Sequence, residues 1–361
     1  MHHAVPRTFV GTAAPDALFE PCTLGGGMRL RNRIVLAPCT RNRALPDLSP
    51  TPGAGAYYAE RAEAGLLITE AVMVCREAQG YLDTPGVFLD SHVGAWAAVA
   101  DAVHRAGGLI FMQLWHTGRM AHSHWTGVPP VAPSAVLDPI LRRQAGGLTL
   151  YNEMPRAMGD QDIRQTIADY RAAAVRAGQA GFDGVEIHAA NGYLAEQFLR
   201  RHTNRRTDAW GGSAAYRSRF TLEVVAACCD ALGAARVGLR LSPAAYFSEM
   251  KWSEGDNETY LYLLEQLRAA TLAYLHCGIV EDDPVEYLGG TTGEFLRRHW
   301  NGVLVGNGGY TPDAANARVA AGAFDLMAFG KLFIANPDLV HRVRTGQQLK
   351  PYARELLDLL R

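Results

Sequence analysis

The sequence predicts a (β/α)8 barrel of the TIM type with long loops after its third and fourth strands. Two observations carry this prediction: eight short, β-branched runs recur along the 361 residues, and helix-like stretches lie between them. Because the runs are apolar on both faces, they suit parallel strands that other layers cover. Such a barrel takes about 250 residues plus insertions, so we predict one domain over residues 1–361. A doubly wound open sheet is the alternative, and the count of eight disfavours it.

The elements follow one another in regular order. The predicted strands are IVLAPC (34–39), LLITEA (66–71), LIFMQLW (109–115), GVEIH (184–188), VGLRLS (237–242), LAYLHCG (272–278), GVLVGNG (302–308) and LMAFG (326–330). The amphipathic helical segments between them are TPGAGAYYAERAEAG (51–65), SHVGAWAAVADAVHRAGG (91–108), DIRQTIADYRAAAVRAGQAG (162–181), SRFTLEVVAACCDALGA (218–234) and NETYLYLLEQLRAA (257–270). Several segments end in glycine before the next strand, so Gly65, Gly108 and Gly181 are predicted helix C-caps.

Two connections are too long to be plain turns. Residues 116–160 follow the third strand and residues 194–215 follow the fourth. Long loops in a compact domain are usually functional, and the loops that follow barrel strands lie on the catalytic face. We therefore expect both loops to border the functional site.

Composition excludes several classes of protein. The formal net charge of -1 argues against a nucleic-acid partner. No apolar run approaches the roughly 20 residues of a membrane span, and the first residues show no secretory signal. The six cysteines are scattered without CxxC spacing, which disfavours zinc sites and disulfide frameworks. Reduced thiols of this kind suggest a cytoplasmic protein.

Polar side chains lie at the carboxyl ends of several predicted strands. By two-residue alternation, Gln113 shares a face with Trp115, and Glu186 shares one with His188. With Thr40 and Arg240, these side chains are expected to converge above the barrel. Each also has a structural interpretation when taken singly: Trp115 as core, Arg240 as a partner of Glu186, and His188 as a hydrogen-bonded buried histidine.

Glycines after the last two strands suggest a phosphate site. The segments are VGNGGYT (305–311) and FGKLFIANPD (329–338), and they account for part of an excess of 37 glycines. Glycine lets backbone N–H groups approach an anion, and barrels often hold phosphate in these two loops. Lys331 adds a point charge. The alternative is that Asn307-Gly308-Gly309 is a tight turn.

The sequence His188-Ala-Ala-Asn191-Gly-Tyr193 combines two hydrogen-bond donors with a phenol directly after a strand. Two donors can bind one carbonyl or nitro oxygen and stabilise the negative charge that develops there. The phenol can then protonate the carbon of the resulting enolate. Since no side chain supplies hydride, a reduction of this kind implies a cofactor.

These residues occur in a longer pattern that resembles the old yellow enzyme family of FMN-dependent ene reductases. The resemblance runs in order from about residue 18 to residue 340. Its stretches are RNRIVLAPCTRNRA (31–44), AGLLITEA (64–71), QLWHTGR (113–119), AGFDGVEIHAANGYLAEQFL (180–199), TDAWGGS (207–213), RVGLRLSP (236–243), NGGYT (307–311) and FGKLFIANPDL (329–339).

The resemblance implies a role for each candidate residue. Tyr193 would donate the proton, while His188 and Asn191 would bind the substrate oxygen between the pocket walls Trp115 and Tyr81. At the flavin, Pro38 would lie beside Thr40, Thr40 would bind O4, Gln113 would bind the pyrimidine edge and Arg240 would lie near N1 and O2. The residues implied at the FMN phosphate are Asn307, Gly308, Gly330 and Lys331.

Three departures from the family pattern bear on the site. Lys331 stands where the family usually has arginine, so bidentate phosphate binding is not expected. The family's glycine-rich, aromatic tail is absent, and YARELLDLLR (352–361) instead suggests a short amphipathic helix. Trp210 and Tyr216 replace more usual residues around the GGS segment. None of these changes touches the positions implied in hydride or proton transfer.

The expected function is therefore reduction of an activated C=C bond by a ping-pong mechanism. FMN is the expected cofactor, NADPH or NADH the hydride donor, and an α,β-unsaturated carbonyl or nitro compound the substrate. No nucleic acid or membrane partner is expected, and the chain is expected to be a monomer or homodimer. Relatives with an iron–sulfur cluster are disfavoured because no closely spaced cysteine run exists. The remaining alternative is a non-redox isomerase or aldolase that binds a phosphorylated substrate.

Overall fold

Eight parallel strands close into one barrel. The computed structural model describes residues 16–139, 142–145, 147–244, 247 and 250–359. In chain order the strands are β1 (Ile34–Leu36), β2 (Leu66–Met73), β3 (Ile110–Trp115), β4 (Gly184–Ala189), β5 (Val237–Leu241), β6 (Tyr274–Cys277), β7 (Leu304–Gly306) and β8 (Leu326–Phe329). Each strand pairs with the next, and β8 pairs with β1. The predicted (β/α)8 barrel is confirmed. The N-terminal residues behind the expectation of no secretory signal lie outside the described residues.

Helices connect the strands and surround them. The five predicted helices are confirmed at Ala54–Ala59, Asp90–Arg105, Asp160–Gln179, Ala214–Leu232 and Asp256–Leu267. Further α-helices are Ser123–Thr126, Leu194–Leu199, Thr292–His299, Pro312–Ala320, Lys331–Ala335 and Leu339–Thr345. Short 3-10 helices are Ala17–Phe19, Arg76–Ala78, Gly118–Met120, Ala234–Arg236, Glu286–Leu288 and Arg354–Leu359.

The barrel strands send alternate side chains to two apolar clusters. In β3, Met112 and Leu114 pack in the large cluster under the helices, whereas Phe111 belongs to the interior cluster with Tyr274 of β6. This alternation follows from the two-residue period of a strand. It directs Gln113 and Trp115, which continue the Phe111 series, toward the barrel axis at the carboxyl end of β3.

Two strand glycines make room for the interior aromatic rings. A Cβ at Gly184 would lie 2.4 Å from the Phe111 ring, and one at Gly238 would lie 2.4 Å from the Tyr274 ring. Each glycine is paired in register with the aromatic residue of the neighbouring strand. Part of the glycine excess is therefore explained by close packing inside the barrel rather than by loops.

The predicted glycine caps are correct in one of three cases. Gly181 has a φ of 83° after the helix Asp160–Gln179, as a C-cap glycine should. The helix Asp90–Arg105 instead uses Gly107, with a φ of 76°, so the prediction of Gly108 was wrong by one residue. Gly65 has no positive φ, and it is required because a Cβ there would lie 2.1 Å from the Asn32 carbonyl oxygen.

Both long loops carry structure of their own. The loop after β3 contains a parallel pair, Val131–Ala132 with Arg156–Ala157, and an antiparallel pair, Arg142–Ala145 with Leu148–Tyr151. The loop after β4 begins with the fully buried helix Leu194–Leu199. No helix within the described residues is long and apolar enough to cross a membrane.

Candidate active site

Strands β3, β4 and β6 contribute a buried polar layer above the aromatic rings. The amide Nε2 of Gln113 donates to Oε1 of Glu186 over 2.6 Å, and Nδ1 of His276 lies 2.8 Å from Oε2 of the same carboxylate. Glu186 and His276 are completely buried and Gln113 nearly so. The in-register pairing of Glu186 with Gln113 places these two side chains side by side.

Charge in this layer is set by burial and by the neighbouring groups. Burial opposes ionisation of Glu186, yet His276, Arg240 and Gln113 together hold its pKa below the usual range. Burial lowers the pKa of His276 despite the nearby carboxylate. The pair is therefore a carboxylate and a neutral imidazole, with Nδ1–H of His276 as the donor.

Four side chains with rings lie above the polar layer, at the barrel mouth: Tyr81, Trp115, His188 and Tyr193. The Trp115 ring lies 4.8 Å from that of Tyr193, 5.6 Å from that of Tyr81 and 6.4 Å from that of His188. The hydroxyl groups of Tyr81 and Tyr193 are 3.2 Å apart. These four residues, predicted from three separate parts of the chain, line one side of the barrel mouth.

His188 presents a hydrogen-bond donor to the barrel mouth. Its Nδ1 accepts from the backbone N–H of Ala190 over 3.4 Å, which leaves the proton on Nε2. Burial, together with Arg240 and His276, lowers the pKa of His188 well below its usual value. The side chain is therefore a neutral imidazole that can donate through Nε2.

The turn after β4 is held from below by Glu196. The backbone N–H of Asn191 donates to Ser242 Oγ, and that of Gly192 donates to Glu196 Oε2. Asn191 has a φ of 59°, a left-handed conformation that asparagine tolerates better than most residues. Because Glu196 also accepts from Ser242 Oγ and from Arg200, the turn that carries Asn191 and Tyr193 is rigidly supported.

Glycines line the ends of β7 and β8. Gly308 has a φ of 137°, and a Cβ there would lie 2.7 Å from the backbone nitrogen of Asp282. Its N–H donates to the Asn307 side chain over 2.8 Å. A Cβ at Gly330 would lie 3.0 Å from the sulfur of Cys39, next to Pro38. Lys331 is exposed, with its Nζ 6.0 Å from the Tyr352 ring centre.

The loop after β1 lies beside the C-terminal segment. Pro38 is half-buried, and Thr40 is exposed in a groove of about 350 Å³ that Arg43, Arg354 and Leu357 also line. The short helix predicted at the C-terminus is confirmed as the 3-10 helix Arg354–Leu359, and the last two residues of the predicted segment lie outside the described part. This segment borders the Thr40 loop, where Arg43 donates to the Leu357 carbonyl oxygen.

Not all predicted residues contact one another. Ring contacts join Tyr81, Trp115, His188 and Tyr193, while Gln113 bonds to Glu186 directly beneath them. Thr40 and Lys331 lie at the periphery and make no described hydrogen bond to the other candidates. Such gaps are expected where a ligand, rather than protein contact, would join the residues.

Sequence reasoning missed three buried groups that support the site: His276, Glu196 and Glu70. His276 follows Tyr274 by two residues on β6, and the same alternation that found His188 points to it. Glu70 gives no signal in the sequence, since its partner Arg41 comes from another element. Glu196 has its partner Arg200 four residues later, a spacing that the sequence does show.

The chain matches the model of the NADH:flavin oxidoreductase / NADH oxidase family over residues 17–350. It is 41% identical over 338 residues to putative 12-oxophytodienoate reductase 6 of Oryza sativa subsp. japonica, which covers 91% of this chain and 84% of that protein. It is 37% identical, over an alignment of 373 positions, to flavin oxidoreductase hxnT of Emericella nidulans. This alignment covers 96% of this chain and 95% of that protein.

Solved structures agree with this assignment. Morphinone reductase in complex with tetrahydroNAD superimposes with a TM-score of 0.88 at 40% identity, covering 94% of each chain. The old yellow enzyme homologue of Zymomonas mobilis has a TM-score of 0.88 at 36% identity, covering 94% of this chain and 96% of that one. The chain therefore belongs to the old yellow enzyme family and is a flavin-dependent ene reductase. Membership disfavours the non-redox alternative.

The residues of the barrel mouth fit FMN. Nε of Arg240 is buried and has no hydrogen-bond partner among the described residues. A bound ligand with a polar ring edge could supply the acceptor for this N–H group. The backbone at Gly308 leaves no room for a Cβ, and a Cβ at Gly330 would be in tight contact with the Cys39 sulfur. Both features suit a ligand with a polar ring at one end and a phosphate at the other.

Proposed function

We propose that the protein uses NADPH or NADH to reduce the activated C=C bond of α,β-unsaturated carbonyl or nitro compounds by a ping-pong mechanism. The observation that carries this proposal is the placement of the His188 imidazole, with its Nε2–H, beside the Tyr193 phenol, with ring centres 4.9 Å apart. Two of the relatives are named for the ketones 12-oxophytodienoate and morphinone, which supports a ketone substrate.

FMN, when bound, supplies the redox chemistry by accepting hydride from the nicotinamide and passing it to the β-carbon of the alkene. His188 and Asn191 bind the activating oxygen of the substrate. Because the neutral His188 donates through Nε2, it stabilises the negative charge that develops on that oxygen. Trp115 and Tyr81 form the apolar wall against which the alkene packs.

Tyr193 protonates the α-carbon from its phenolic oxygen. An enolate carbon is far more basic than phenolate, so this proton transfer is favourable. The Tyr81 hydroxyl lies 3.2 Å from the Tyr193 oxygen and can hold that phenol in place by a hydrogen bond. Removing the Tyr193 hydroxyl should therefore slow the alkene step and leave the nicotinamide step intact.

The cofactor would be held along the mouth from the β3 end to the β8 end. Gln113 and Arg240 would bind the pyrimidine edge of the ring, and Thr40 with Pro38 would border its O4 side. The phosphate would be bound by Asn307, Gly308, Gly330 and Lys331. Because Lys331 presents a point charge rather than a planar fork, FMN should bind less tightly than it would to an arginine there.

The remaining parts of the proposal concern the whole chain. We propose a single FMN-binding domain over residues 1–361 that acts on small molecules as a monomer or homodimer, with no nucleic-acid partner. The six cysteines are all free, which fits a reducing, cytoplasmic location. Sedimentation analysis of the purified protein would decide between the two oligomeric states.

Anaerobic stopped-flow absorbance tests the proposed reaction directly. The yellow holoenzyme should lose its flavin absorbance when mixed with NADPH or NADH, and regain it when mixed with a cyclic α,β-unsaturated ketone or a nitroalkene. A saturated ketone serves as the matched control and should not restore the absorbance. Loss of absorbance without recovery on any activated alkene would refute the proposal.

A further inference from the structure

The orientation of the Gln113 amide follows from its partner. An ionised carboxylate only accepts hydrogen bonds, so the group that faces Glu186 Oε1 over 2.6 Å must be the Gln113 amide nitrogen. The other end of the same planar amide is then the carbonyl oxygen. Gln113 therefore presents its carbonyl oxygen as an acceptor away from Glu186, while one of its two amide N–H groups donates to Glu186.

Glu186 is itself held in one orientation. Its second oxygen faces Nδ1 of His276 at 2.8 Å, and both side chains are completely buried. His276 has no hydrogen-bond partner at Nε2 among the described residues, which agrees with a neutral ring protonated at Nδ1. In the buried row Gln113–Glu186–His276, both outer side chains thus donate to the carboxylate in the centre, and the carboxylate fixes the orientation of each.

We propose that Glu186 is a positioning residue that turns the Gln113 carbonyl oxygen toward the cofactor and offsets the positive charge of Arg240. This inference rests on the proposed function, because it takes the bound cofactor to be FMN. The pyrimidine edge of an isoalloxazine ring carries an N–H donor at N3 between two carbonyl groups, and the Gln113 acceptor matches that donor.

The charge of Glu186 has a separate consequence. Burial, opposed by His276, Arg240 and Gln113, leaves the pKa of Glu186 below its usual range, so the carboxylate is ionised at neutral pH. With His276 neutral, the carboxylate and the Arg240 guanidinium cancel in net charge. Two-electron reduction adds negative charge to the pyrimidine end of a flavin. Removing the carboxylate would therefore favour the reduced form and raise the midpoint potential.

The first test measures the midpoint potential of the FMN-loaded Glu186→Gln enzyme against a reference dye. The affinity for reduced relative to oxidised FMN should rise about tenfold, which corresponds to a shift of about 30 mV in the positive direction. The matched control is Asp256→Asn, which neutralises another fully buried carboxylate, one that lies 3.7 Å from Arg200. It should lower the melting temperature and leave the potential unchanged.

The second test addresses the amide orientation and uses Glu186→Leu, which removes the acceptor and keeps a similar volume. The wild-type apoprotein should bind FMN at least about tenfold more tightly than N3-methyl-FMN, since one good hydrogen bond to a neutral partner accounts for roughly that factor. In the leucine variant the amide is free to turn, and the preference should fall toward one. Fluorescence quenching on titration of the apoprotein measures both affinities.

The outcomes separate this inference from the function on which it rests. A wild-type protein that binds no FMN would overturn the proposed function. A wild-type enzyme that binds FMN and reduces activated alkenes, but whose potential does not move in Glu186→Gln or moves equally in Asp256→Asn, would overturn the role of Glu186 alone. An unchanged N3-methyl preference in Glu186→Leu would likewise refute the amide orientation.

Discussion

At the mouth of the barrel, two polar side chains each have their hydrogen-bonding role assigned by one close neighbour. The Ala190 N–H makes His188 a donor through Nε2, and Glu186 makes Gln113 an acceptor through its oxygen. These assignments need no bound ligand. Contacts within the protein thus orient two groups of the site, and fixed donors and acceptors are what electrostatic catalysis requires.

The phenolic oxygen of Tyr193 is the proposed proton donor in the alkene half-reaction, so removing this one atom tests the mechanism. Tyr193→Phe should slow the alkene half-reaction by about 10²–10⁴, the usual contribution of a general acid. The nicotinamide half-reaction should change little, and stopped-flow absorbance resolves the two. Tyr81→Phe is the matched control, since it removes the neighbouring hydroxyl 3.2 Å away and should cost much less. Equal losses in both half-reactions of Tyr193→Phe would contradict the proton-donor role.

The protonation state of His188 gives a prediction about pH. Because burial, Arg240 and His276 lower its pKa well below the usual value, His188 should stay neutral between about pH 6 and pH 8. The measurement is the ¹⁵N shift of the ring nitrogens in histidine-labelled protein, assigned by comparison with His188→Asn. The spectrum should show a proton on Nε2 throughout, and a titration near pH 6.5 would disprove this assignment.

At the scale of the element, the loop after β1 is fastened by one buried carboxylate on β2. Glu70 accepts from the Arg41 backbone N–H over 3.0 Å and lies 3.8 Å from its guanidinium. The Arg41 guanidinium in turn lies over the Tyr57 ring at 4.1 Å. The position of Thr40, next to Arg41, therefore depends on a contact between two different βα units.

Burial raises the pKa of Glu70 to about 7, against the opposing effect of Arg41, so folding takes up a proton between about pH 4.5 and pH 7. Stability should fall as the pH rises through that window, by at most about 3 kcal/mol, and level off above it. In Glu70→Gln this pH dependence of stability disappears. The difference in melting temperature, variant minus wild type, should therefore increase from about pH 4.5 to about pH 7, because only the wild type loses stability over that range. Glu60→Gln, at an exposed position, is the control, and its difference in melting temperature from wild type should not change with pH. A pH-independent difference for Glu70→Gln would exclude the titration of Glu70.

The turn after β7 gives a second prediction for an element. Gly308→Ala combines a positive φ with a contact of 2.7 Å to the Asp282 backbone, so it should cost about 1–3 kcal/mol and weaken FMN binding. Gly322→Ala is matched to it, because Gly322 also has a positive φ of 72° and has no atom within 4 Å of the new Cβ. This control should lose about 1 kcal/mol and bind FMN normally. Calorimetric melting and FMN titration measure the two effects, and equal FMN affinities in the two variants would argue against a phosphate site at Gly308.

For the whole molecule, the barrel stacks its interior side chains in layers along one axis. Phe111 and Tyr274 form an apolar layer, Gln113, Glu186 and His276 a polar layer above it, and Trp115 and His188 the surface at the mouth. The site residues at the strand ends can meet a ligand without disturbing the core.

FMN should stabilise the entire chain, since its proposed contacts span from β1 to β8. At a free concentration about 100 times its Kd, the ligand adds about 2.7 kcal/mol to the free energy of unfolding. Removing FMN should therefore lower the melting temperature by several degrees, and adding FMN back should restore it. Differential scanning calorimetry measures this change. Riboflavin, which lacks the phosphate, is the control and should restore less, and equal stabilisation by both would contradict the phosphate cradle.

Most of the fold and part of the site could be predicted from the sequence. The alternation of apolar residues placed all eight strands, and the strand ends named Gln113, Trp115, His188 and Arg240. Local periodicity determines these features, because a strand directs every second side chain to the same face. The one-residue error at Gly108 arose where the outcome depends on a single turn, and the 3-10 type of the C-terminal helix was not specified by its pattern.

Only the tertiary structure decided how those side chains are paired and charged. The ionised state of Glu186, the neutral state of His188 and the anchoring of the Thr40 loop by Glu70 each depend on burial and on partners from distant strands. A sequence determines which residues face the barrel axis, because that is a local property of each strand. It does not reveal their protonation or the direction of their hydrogen bonds, because these depend on which residues the closed barrel brings within about 3 Å of one another.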